Sequence, residues 1–301
     1  MSEDAKPESV KRTIEIEEFT NVYLIHPVSS WLVPRLAARN VTPNMVSLTG
    51  MLFGFLSGVA YHYYQNPMMA VLGFLCMAIW HIMDGTDGQL ARLTKTQSEF
   101  GKVLDGVCDY VTFISVYVGI ALSLAIEINP NIWYVVVGAG LLHAIQSGAY
   151  ELQRSEYDHW GHGKASAALP EIDEMIKDLD GKSVLSFIFS QFHIGYVRMQ
   201  RRFSGVDQKF QTALYGLLAE NSDKQDAIRD LYREIFAPGI KGWSSMCANY
   251  RSIAIFIACI SGQPLYYFWY EIAVLTPILI YLVQKQRLLN QLFLLRVKEI
   301  L

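Results

Sequence analysis

Apolar residues in this chain are gathered into long runs that are separated by short polar breaks. Each run is close to the length that crosses a lipid bilayer as a helix. The breaks hold residues typical of turns, as in Gln65-Asn66-Pro67 and Ser261-Gly262-Gln263-Pro264. The sequence therefore predicts an all-α, polytopic membrane protein with six transmembrane helices. The predicted spans are 45–64, 68–90, 102–126, 132–152, 249–264 and 266–285.

The segments outside the spans are amphipathic. Residues 1–40 mix charged and large apolar side chains, which predicts an N-terminal interfacial helix interrupted near His26-Pro27. A helix packed on protein would show the same pattern. The pattern of residues 153–248 predicts a long cytoplasmic helical insertion. Its role would be that of a lid, a dimer contact or a structural cover. The predicted division is 1–40, 41–152 with the first four spans, 153–248, and 249–301 with the last two spans and a cytoplasmic tail.

Lysine and arginine residues are distributed unevenly between the polar segments. The turns near residues 65, 129 and 263 contain none, whereas the N-terminal segment, the segment around 92–102 and the tail contain several. Basic residues favour the cytoplasmic side of a membrane. We therefore predict that both termini and the 92–102 segment face the cytoplasm, in a bacterial inner membrane or an equivalent one.

Composition narrows the possible functions. The chain has 301 residues, of which 52% are hydrophobic, and a formal net charge of −3. This near-neutral charge gives no support for nucleic-acid binding. Its four cysteines lie in or beside apolar runs without metal-ligand spacing, which predicts buried, reduced thiols. These cysteines are Cys76, Cys108, Cys247 and Cys259.

Four aspartates at the ends of two apolar runs are the main candidates for chemistry. Asp84 and Asp87 are three residues apart, and Asp105 and Asp109 are four apart. Either spacing puts a pair of side chains on one face of a helix. Four carboxylates brought together repel one another unless a cation lies between them. All-oxygen ligands suit Mg²⁺, Mn²⁺ or Ca²⁺ rather than zinc. Helix-end carboxylates that simply face water are the alternative.

The spacing of the motif extends beyond the aspartates. It reads Asp84-x-x-Asp87-Gly88-x-x-Ala91-Arg92, then eight residues, then Gly101-x-x-x-Asp105-x-x-x-Asp109. This pattern, within 84–109, resembles the signature of the CDP-alcohol phosphotransferases, which are integral membrane enzymes of phospholipid synthesis. The resemblance implies transfer of a phosphatidyl or phospho-alcohol group from a CDP-linked donor to an acceptor hydroxyl, with release of CMP.

The resemblance also implies roles for particular residues. Two divalent ions, Mg²⁺ or Mn²⁺, would be held by Asp84, Asp87, Asp105 and Asp109. Asp109 would also be the catalytic base, although its unperturbed pKa near 3.9 makes an aspartate a poor base. Coordination of the hydroxyl by a metal would lower the pKa of that hydroxyl. The implied donor-binding positions are Asn44, Met45, Val46, Ser47, Gly88, Ala91, Arg92, Ser98 and Gly101.

The substrates are open within this resemblance. One branch of the family transfers phosphatidyl from CDP-diacylglycerol to a polar alcohol, and the other transfers phosphocholine or phosphoethanolamine to a lipid hydroxyl. Few basic residues lie near the later spans, which disfavours a phosphorylated acceptor. We favour CDP-diacylglycerol as the donor. The implied partners are the CDP-linked donor, the alcohol acceptor, the lipid bilayer and, because the family often forms homodimers, a second copy of the chain.

Two other classes of protein could carry aspartates in a membrane. An intramembrane prenyltransferase also binds diphosphate through magnesium, but its two aspartate-rich motifs normally lie far apart in the chain. A cation transporter would need a pathway of ionisable residues through its spans, whereas the aspartates gather at one face. Both readings are weaker than the phosphotransferase interpretation.

A polar stripe follows the fourth predicted span. Its members recur at helical spacing, which predicts either an acceptor pocket or polar packing between helices. We favour packing. The stripe consists of His143, Gln146, Tyr150 and Arg154.

Overall fold

The computed structural model of the chain describes residues 14–169, 171–179 and 184–301. Helices and no strands are present within these residues, so the all-α prediction is confirmed. Residues 1–13 of the predicted N-terminal segment lie outside the described part. The α-helices are α1 (His26–Ala37), α2 (Pro43–His62), α3 (Pro67–Thr94), α4 (Glu99–Glu127), α5 (Ile132–His162), α6 (Ile172–Lys177), α7 (Val184–Phe203), α8 (Gln208–Glu220), α9 (Gln225–Trp243), α10 (Ala248–Ile260), α11 (Leu265–Trp269) and α12 (Thr276–Ile300).

Five helices in the described residues are long and apolar enough to cross a membrane, by length and composition, rather than the six predicted. They are α2 to α5 and the continuous helix Leu265–Ile300. The run predicted at 249–264 forms α10, whose 13 residues extend for only about 20 Å. A bilayer's hydrocarbon core is about 30 Å thick. Gly262, with φ of +71°, and Pro264 follow directly and prevent a longer helix.

Short polar side chains begin the first membrane helices of the chain. Each accepts a hydrogen bond from a backbone N–H in the first helical turn, which otherwise has no partner within the helix. The donor–acceptor distances are 3.3, 3.0 and 3.0 Å, respectively, for Thr42, Asn66 and Ser98. Pro43 and Pro67 follow two of these caps, where the missing N–H costs nothing.

Three helices differ in extent from the sequence prediction. The helix α3 continues past residue 90 and ends at Thr94, so both of its aspartates lie within it. The helix α5 continues ten residues beyond the predicted end at 152. The predicted interruption near His26-Pro27 is wrong. A π-helical turn at Asn21–Ile25 runs directly into α1 and accommodates the proline.

Glycines on α2 and α4 permit very close packing of these two helices. A Cβ atom at Gly58 would lie 2.3 Å from the carbonyl oxygen of Ser115, and one at Gly119 would lie 2.1 Å from the carbonyl oxygen of Gly58. At these positions only glycine lets the backbones approach so closely. The helix α2 also packs along α3. The three helices α2, α3 and α4 thus form a tight group that carries the aspartates.

The chain divides into two compact units. One includes the described residues up to Val137 together with Arg251–Phe268, and the other comprises Gly138–Tyr250 and Trp269–Leu301. A core in the second unit contains Tyr150, Trp243 and Leu279. The four-segment division of the chain stays a prediction. All four cysteines are buried and free, as predicted.

Two members of the polar stripe of α5, His143 and Gln146, contact other helical residues of the second unit, which agrees with the packing favoured from the sequence. His143 Nδ1 lies 3.3 Å from the buried carboxylate of Glu271. Gln146 donates hydrogen bonds to the carbonyl oxygen of Glu271 at 3.1 Å and to Thr276 Oγ1 at 3.0 Å. Arg154 pairs with Glu151 at 2.7 Å. These contacts all lie within the second unit.

Candidate active site

The four aspartates of the motif come from two neighbouring helices. Asp84 and Asp87 lie on α3, and Asp105 and Asp109 lie on α4. One carboxylate oxygen from each of Asp84, Asp105 and Asp109 lies within 4.8 Å of the others, and these residues are partly buried. All four aspartates line one cleft. The helical spacing predicted from the sequence therefore does converge on one place.

Asp87 has a different environment from the other three aspartates. Only 6% of its surface is exposed, and its Oδ2 accepts a hydrogen bond of 2.5 Å from Ser47 Oγ. Ser47 lies in the first turns of α2, so this bond joins α2 to α3. Its Oγ also lies 3.2 Å from the carbonyl oxygen of Pro43. Asp87 is thus held in place by a hydroxyl from a third helix.

The donor set of the cleft fits a hard divalent cation. Three carboxylates at mutual distances below 4.8 Å repel one another strongly in a partly buried site, and a cation between them would offset that repulsion. Carboxylate oxygens are the ligands that Mg²⁺, Mn²⁺ and Ca²⁺ prefer. Asp84, Asp105 and Asp109 would hold such an ion, and Asp87 offers a further carboxylate in the same cleft.

Several of the predicted donor-binding residues lie together. A Cβ atom at Gly88 would be 3.4 Å from Arg92 Nη1, so the guanidinium lies beside this glycine, with Ala91 in the same helical turn. A Cβ atom at Gly101 would be 3.6 Å from Asn44 Oδ1 and 3.2 Å from Ser98 Oγ. The beginnings of α2 and α4 therefore meet, and the two glycines leave open backbone near polar side chains.

Two predicted donor-binding residues have side chains with other surroundings. Val46 is only 3% exposed and packs with Val33 and Leu90 in a small hydrophobic core. Met45 is 55% exposed and donates its backbone N–H to the Thr42 cap. Neither residue lines the aspartate cleft.

Three residues of the cleft were not predicted from the sequence to be site residues. Gly50, Trp80 and Cys108 line it together with Ser47 and the aspartates. They belong to apolar runs, where aromatic, small and thiol side chains are ordinary. Trp80 lies four residues before Asp84, and Cys108 lies between Asp105 and Asp109, so helical spacing from the aspartates is the signal that could have found them.

Comparison with known proteins gives a consistent result. A model of the family described as CDP-alcohol phosphatidyltransferase matches residues 40–169, which include the whole motif. Cholinephosphotransferase 1 of Gallus gallus is 29% identical over 124 residues, covering 39% of this chain and 37% of that protein. Archaetidylinositol phosphate synthase of Pyrococcus horikoshii is 36% identical over 88 residues, covering 29% of this chain and 45% of that protein.

The name of a third relative specifies serine as the acceptor. The CDP-diacylglycerol–serine O-phosphatidyltransferase of Helicobacter pylori is 33% identical over 82 residues, covering 27% of this chain and 31% of that protein. The chain thus spans less than half the length of each of these three curated relatives. Residues 40–169 of the chain match the CDP-alcohol phosphatidyltransferase family model.

Proposed function

We propose that this protein transfers a substituted phosphate group from a CDP-linked donor to the hydroxyl of an acceptor alcohol, with release of CMP. The observation that carries the proposal is the convergence of carboxylate oxygens from Asp84, Asp105 and Asp109 to within 4.8 Å. The family match and the names of three relatives support the same reaction.

The proposed metal site consists of Asp84, Asp87, Asp105 and Asp109, with Mg²⁺ or Mn²⁺ as the ions. Divalent cations in such a site neutralise phosphoryl oxygens and stabilise the departing phosphate. In this proposal Ser47 keeps the Asp87 carboxylate in position through its hydrogen bond. The arginine fork of Arg92 binds the diphosphate, beside the open backbone of Gly88.

The proposed chemical step uses Asp109 as the base. Its carboxylate takes the proton of the acceptor hydroxyl as the new bond between oxygen and phosphorus forms. The bond between that phosphorus and the oxygen of CMP breaks, and CMP leaves with the electron pair. Ser98 and Gly101, with the first turn of α2 from Asn44 to Ser47, supply polar and backbone groups for the nucleotide.

The donor that we propose is CDP-diacylglycerol, whose phosphatidyl group is transferred to a polar alcohol. The names of the Pyrococcus and Helicobacter relatives are compatible with this branch. A CDP-choline or CDP-ethanolamine donor is the second candidate, and the similarity to a cholinephosphotransferase favours it.

We also propose an integral membrane location, in a bacterial inner membrane or an equivalent one, with the aspartates and both termini facing the cytoplasm. We further propose a homodimeric assembly.

The test is a measurement of CMP release over a grid of donors and acceptors, with Mg²⁺ or Mn²⁺ and with EDTA. CDP-diacylglycerol and CDP-choline would each be paired with serine, glycerol phosphate, inositol phosphate and diacylglycerol. We expect CMP release from one donor class only, and none in EDTA. A protein that releases no CMP from any pair would contradict the proposal.

Substitutions at the motif test the assignment of the site. Asp105→Asn should abolish metal-dependent CMP release, and Asp109→Asn should lower the rate by about 10²- to 10⁴-fold, the usual contribution of a general base. Asp223→Asn is the matched control because this aspartate is exposed and lies outside the family match. If Asp105→Asn behaved like Asp223→Asn, the metal site would lie elsewhere.

A further inference from the structure

A cavity with a volume of about 440 Å³ lies in the second unit. It is open to one side, and it lies between the turn that precedes α8 and the middle of α12. None of its lining residues belongs to the aspartate motif or to the family match, which ends at residue 169. The proposed transferase reaction therefore leaves this cavity without a role.

The cavity is positively charged at its rim. Lys209 and Arg287 both line it and are exposed. Within the described chain, neither side chain forms a hydrogen bond or an ion pair. Asp207 is the acidic residue in the lining, and its Oδ1 accepts a hydrogen bond of 2.9 Å from the backbone N–H of Lys209. That carboxylate is committed to capping α8, so the two cations face open space.

The N-terminus of α8 adds further donors. This helix has 13 residues, and its first residues line the cavity. The backbone N–H groups of Gln208 and Phe210 have no acceptor among the described residues. Unpaired N–H groups and the positive end of the helix dipole favour an anion, above all a phosphate.

A buried amide points to a ligand independently of the helix. Asn290 lines the cavity, although only 5% of its surface is exposed. Its Oδ1 accepts a long hydrogen bond of 3.4 Å from Gln286, whereas its Nδ2 donates to no residue in the described ranges. An acceptor in the cavity would give this amide donor a hydrogen-bond partner.

The walls of the cavity are fixed by packing. Phe210 on α8 and Phe293 on α12 meet edge to face with ring centroids 5.7 Å apart. Gly205 adopts φ of +76°, and a Cβ atom there would lie 3.1 Å from Val283 Cγ1. The start of α8 is thus held against α12, which keeps Lys209, Arg287 and Asn290 around one space.

We infer that this cavity binds a phosphate group, carried either by a lipid headgroup or by a soluble phosphate ester. Arg287 and Lys209 bind its oxygens from the rim, the N–H groups at the start of α8 bind from one wall, and Asn290 Nδ2 donates from the floor. The proposal does not depend on the aspartate site, because no residue is shared between the two.

The test uses the purified full chain in detergent with EDTA, so that metal-dependent phosphate binding at the aspartates is excluded. One arm measures the thermal unfolding midpoint in inorganic phosphate against chloride at equal ionic strength. The other arm uses native mass spectrometry to count phosphatidic acid bound to delipidated protein, with diacylglycerol as the phosphate-free lipid. Stabilisation by inorganic phosphate indicates a soluble ligand, and selective retention of phosphatidic acid indicates a lipid.

The decisive variant is the pair Lys209→Gln with Arg287→Gln. We expect its affinity for whichever probe binds to fall by about tenfold or more, because each charge-assisted hydrogen bond contributes that much. The control pair, Lys241→Gln with Lys285→Gln, removes the same total charge from residues outside the cavity lining. Unchanged binding in the first pair, an equal loss in the control pair, or no binding of either probe by the unmodified protein would overturn the inference.

A third variant separates a built site from general attraction by positive charge. Asn290→Asp keeps the shape of the side chain but replaces its donor with an acceptor. Phosphate binding should therefore weaken at least as much as in the pair Lys209→Gln with Arg287→Gln. Gel filtration and the unfolding midpoint in chloride would establish that the variant is folded. A folded Asn290→Asp protein that binds the probe normally would also overturn the inference. None of these measurements involves CMP release, so the outcome is independent of the proposed transferase activity.

Discussion

The hydrogen bond between Ser47 and Asp87 joins a motif carboxylate to another helix. It is 2.5 Å long and connects α2 to the nearly buried carboxylate on α3. Hydrogen bonds to a metal-binding carboxylate orient it and tune its affinity for the ion. The serine therefore acts as a positioning residue in the proposed site.

Ser47→Ala should weaken metal binding without removing a ligand. We expect the Mn²⁺ concentration for half-maximal CMP release to rise by about 10- to 100-fold, the usual effect of losing such an outer contact. Thr49→Ala is the matched control, because Thr49 Oγ1 donates only to the carbonyl oxygen of Met45, at 2.8 Å, in the same helix. An equal response of the two variants would show that Ser47 does not orient the site.

Single residues also show where sequence reasoning succeeds and fails. The spacing of Asp84, Asp105 and Asp109 predicted their shared faces because helical periodicity is local. The pairing of Ser47 with Asp87 spans 40 positions, and no local rule predicts which hydroxyl meets which carboxylate.

At the scale of the helices, the close contact of α2 with α4 sets the geometry of the aspartate cleft. A Cβ atom at Gly119 would lie only 2.1 Å from the carbonyl oxygen of Gly58. The caps and prolines that begin these helices were readable in the sequence. The backbone contact could not be predicted from the sequence, because a glycine in an apolar run also occurs without such packing.

Gly58→Ala should destabilise the protein by about 1–3 kcal/mol, because the new methyl group forces the helices apart. The readout is the free energy of unfolding in detergent, from chemical denaturation or the thermal midpoint. Gly138→Ala provides the comparison, since a Cβ atom at Gly138 meets no other atom within 4 Å. That substitution should be neutral or slightly stabilising because alanine favours helix. Equal stability of the two variants would argue against the tight α2–α4 contact.

At the scale of the whole molecule, the class of protein was readable from apolar run lengths, whereas the number of spanning helices was not. Five helices meet the length and composition for crossing a membrane. The run at 249–264 was long enough in sequence terms, yet α10 has only 13 residues because the chain turns at Gly262. Run length counts apolar residues, while the helix is limited by where the backbone can continue.

The predicted orientation can be tested by labelling introduced cysteines with a membrane-impermeant maleimide. Gln97 and Asn131 are both exposed and lie beyond opposite ends of α4, whose 29 residues extend for about 44 Å. We expect Gln97→Cys to be labelled only from the cytoplasmic side and Asn131→Cys only from the other side. The four native cysteines are buried, so the unmodified protein gives the background. Labelling of both positions from the same side would exclude α4 as a span.

The helix α3 continues for seven residues beyond Asp87 before it ends at Thr94. At 1.5 Å per residue, the carboxylates therefore lie about 10 Å below the end of their own helix. In the proposed reaction, the polar alcohol would descend by that depth, past Arg92, to reach them. The lipid donor could meet it there without being pulled out into water. The short stretch of α3 between Asp87 and Thr94 would thus make the cleft a meeting level for one substrate that arrives from solution and another that stays in the bilayer.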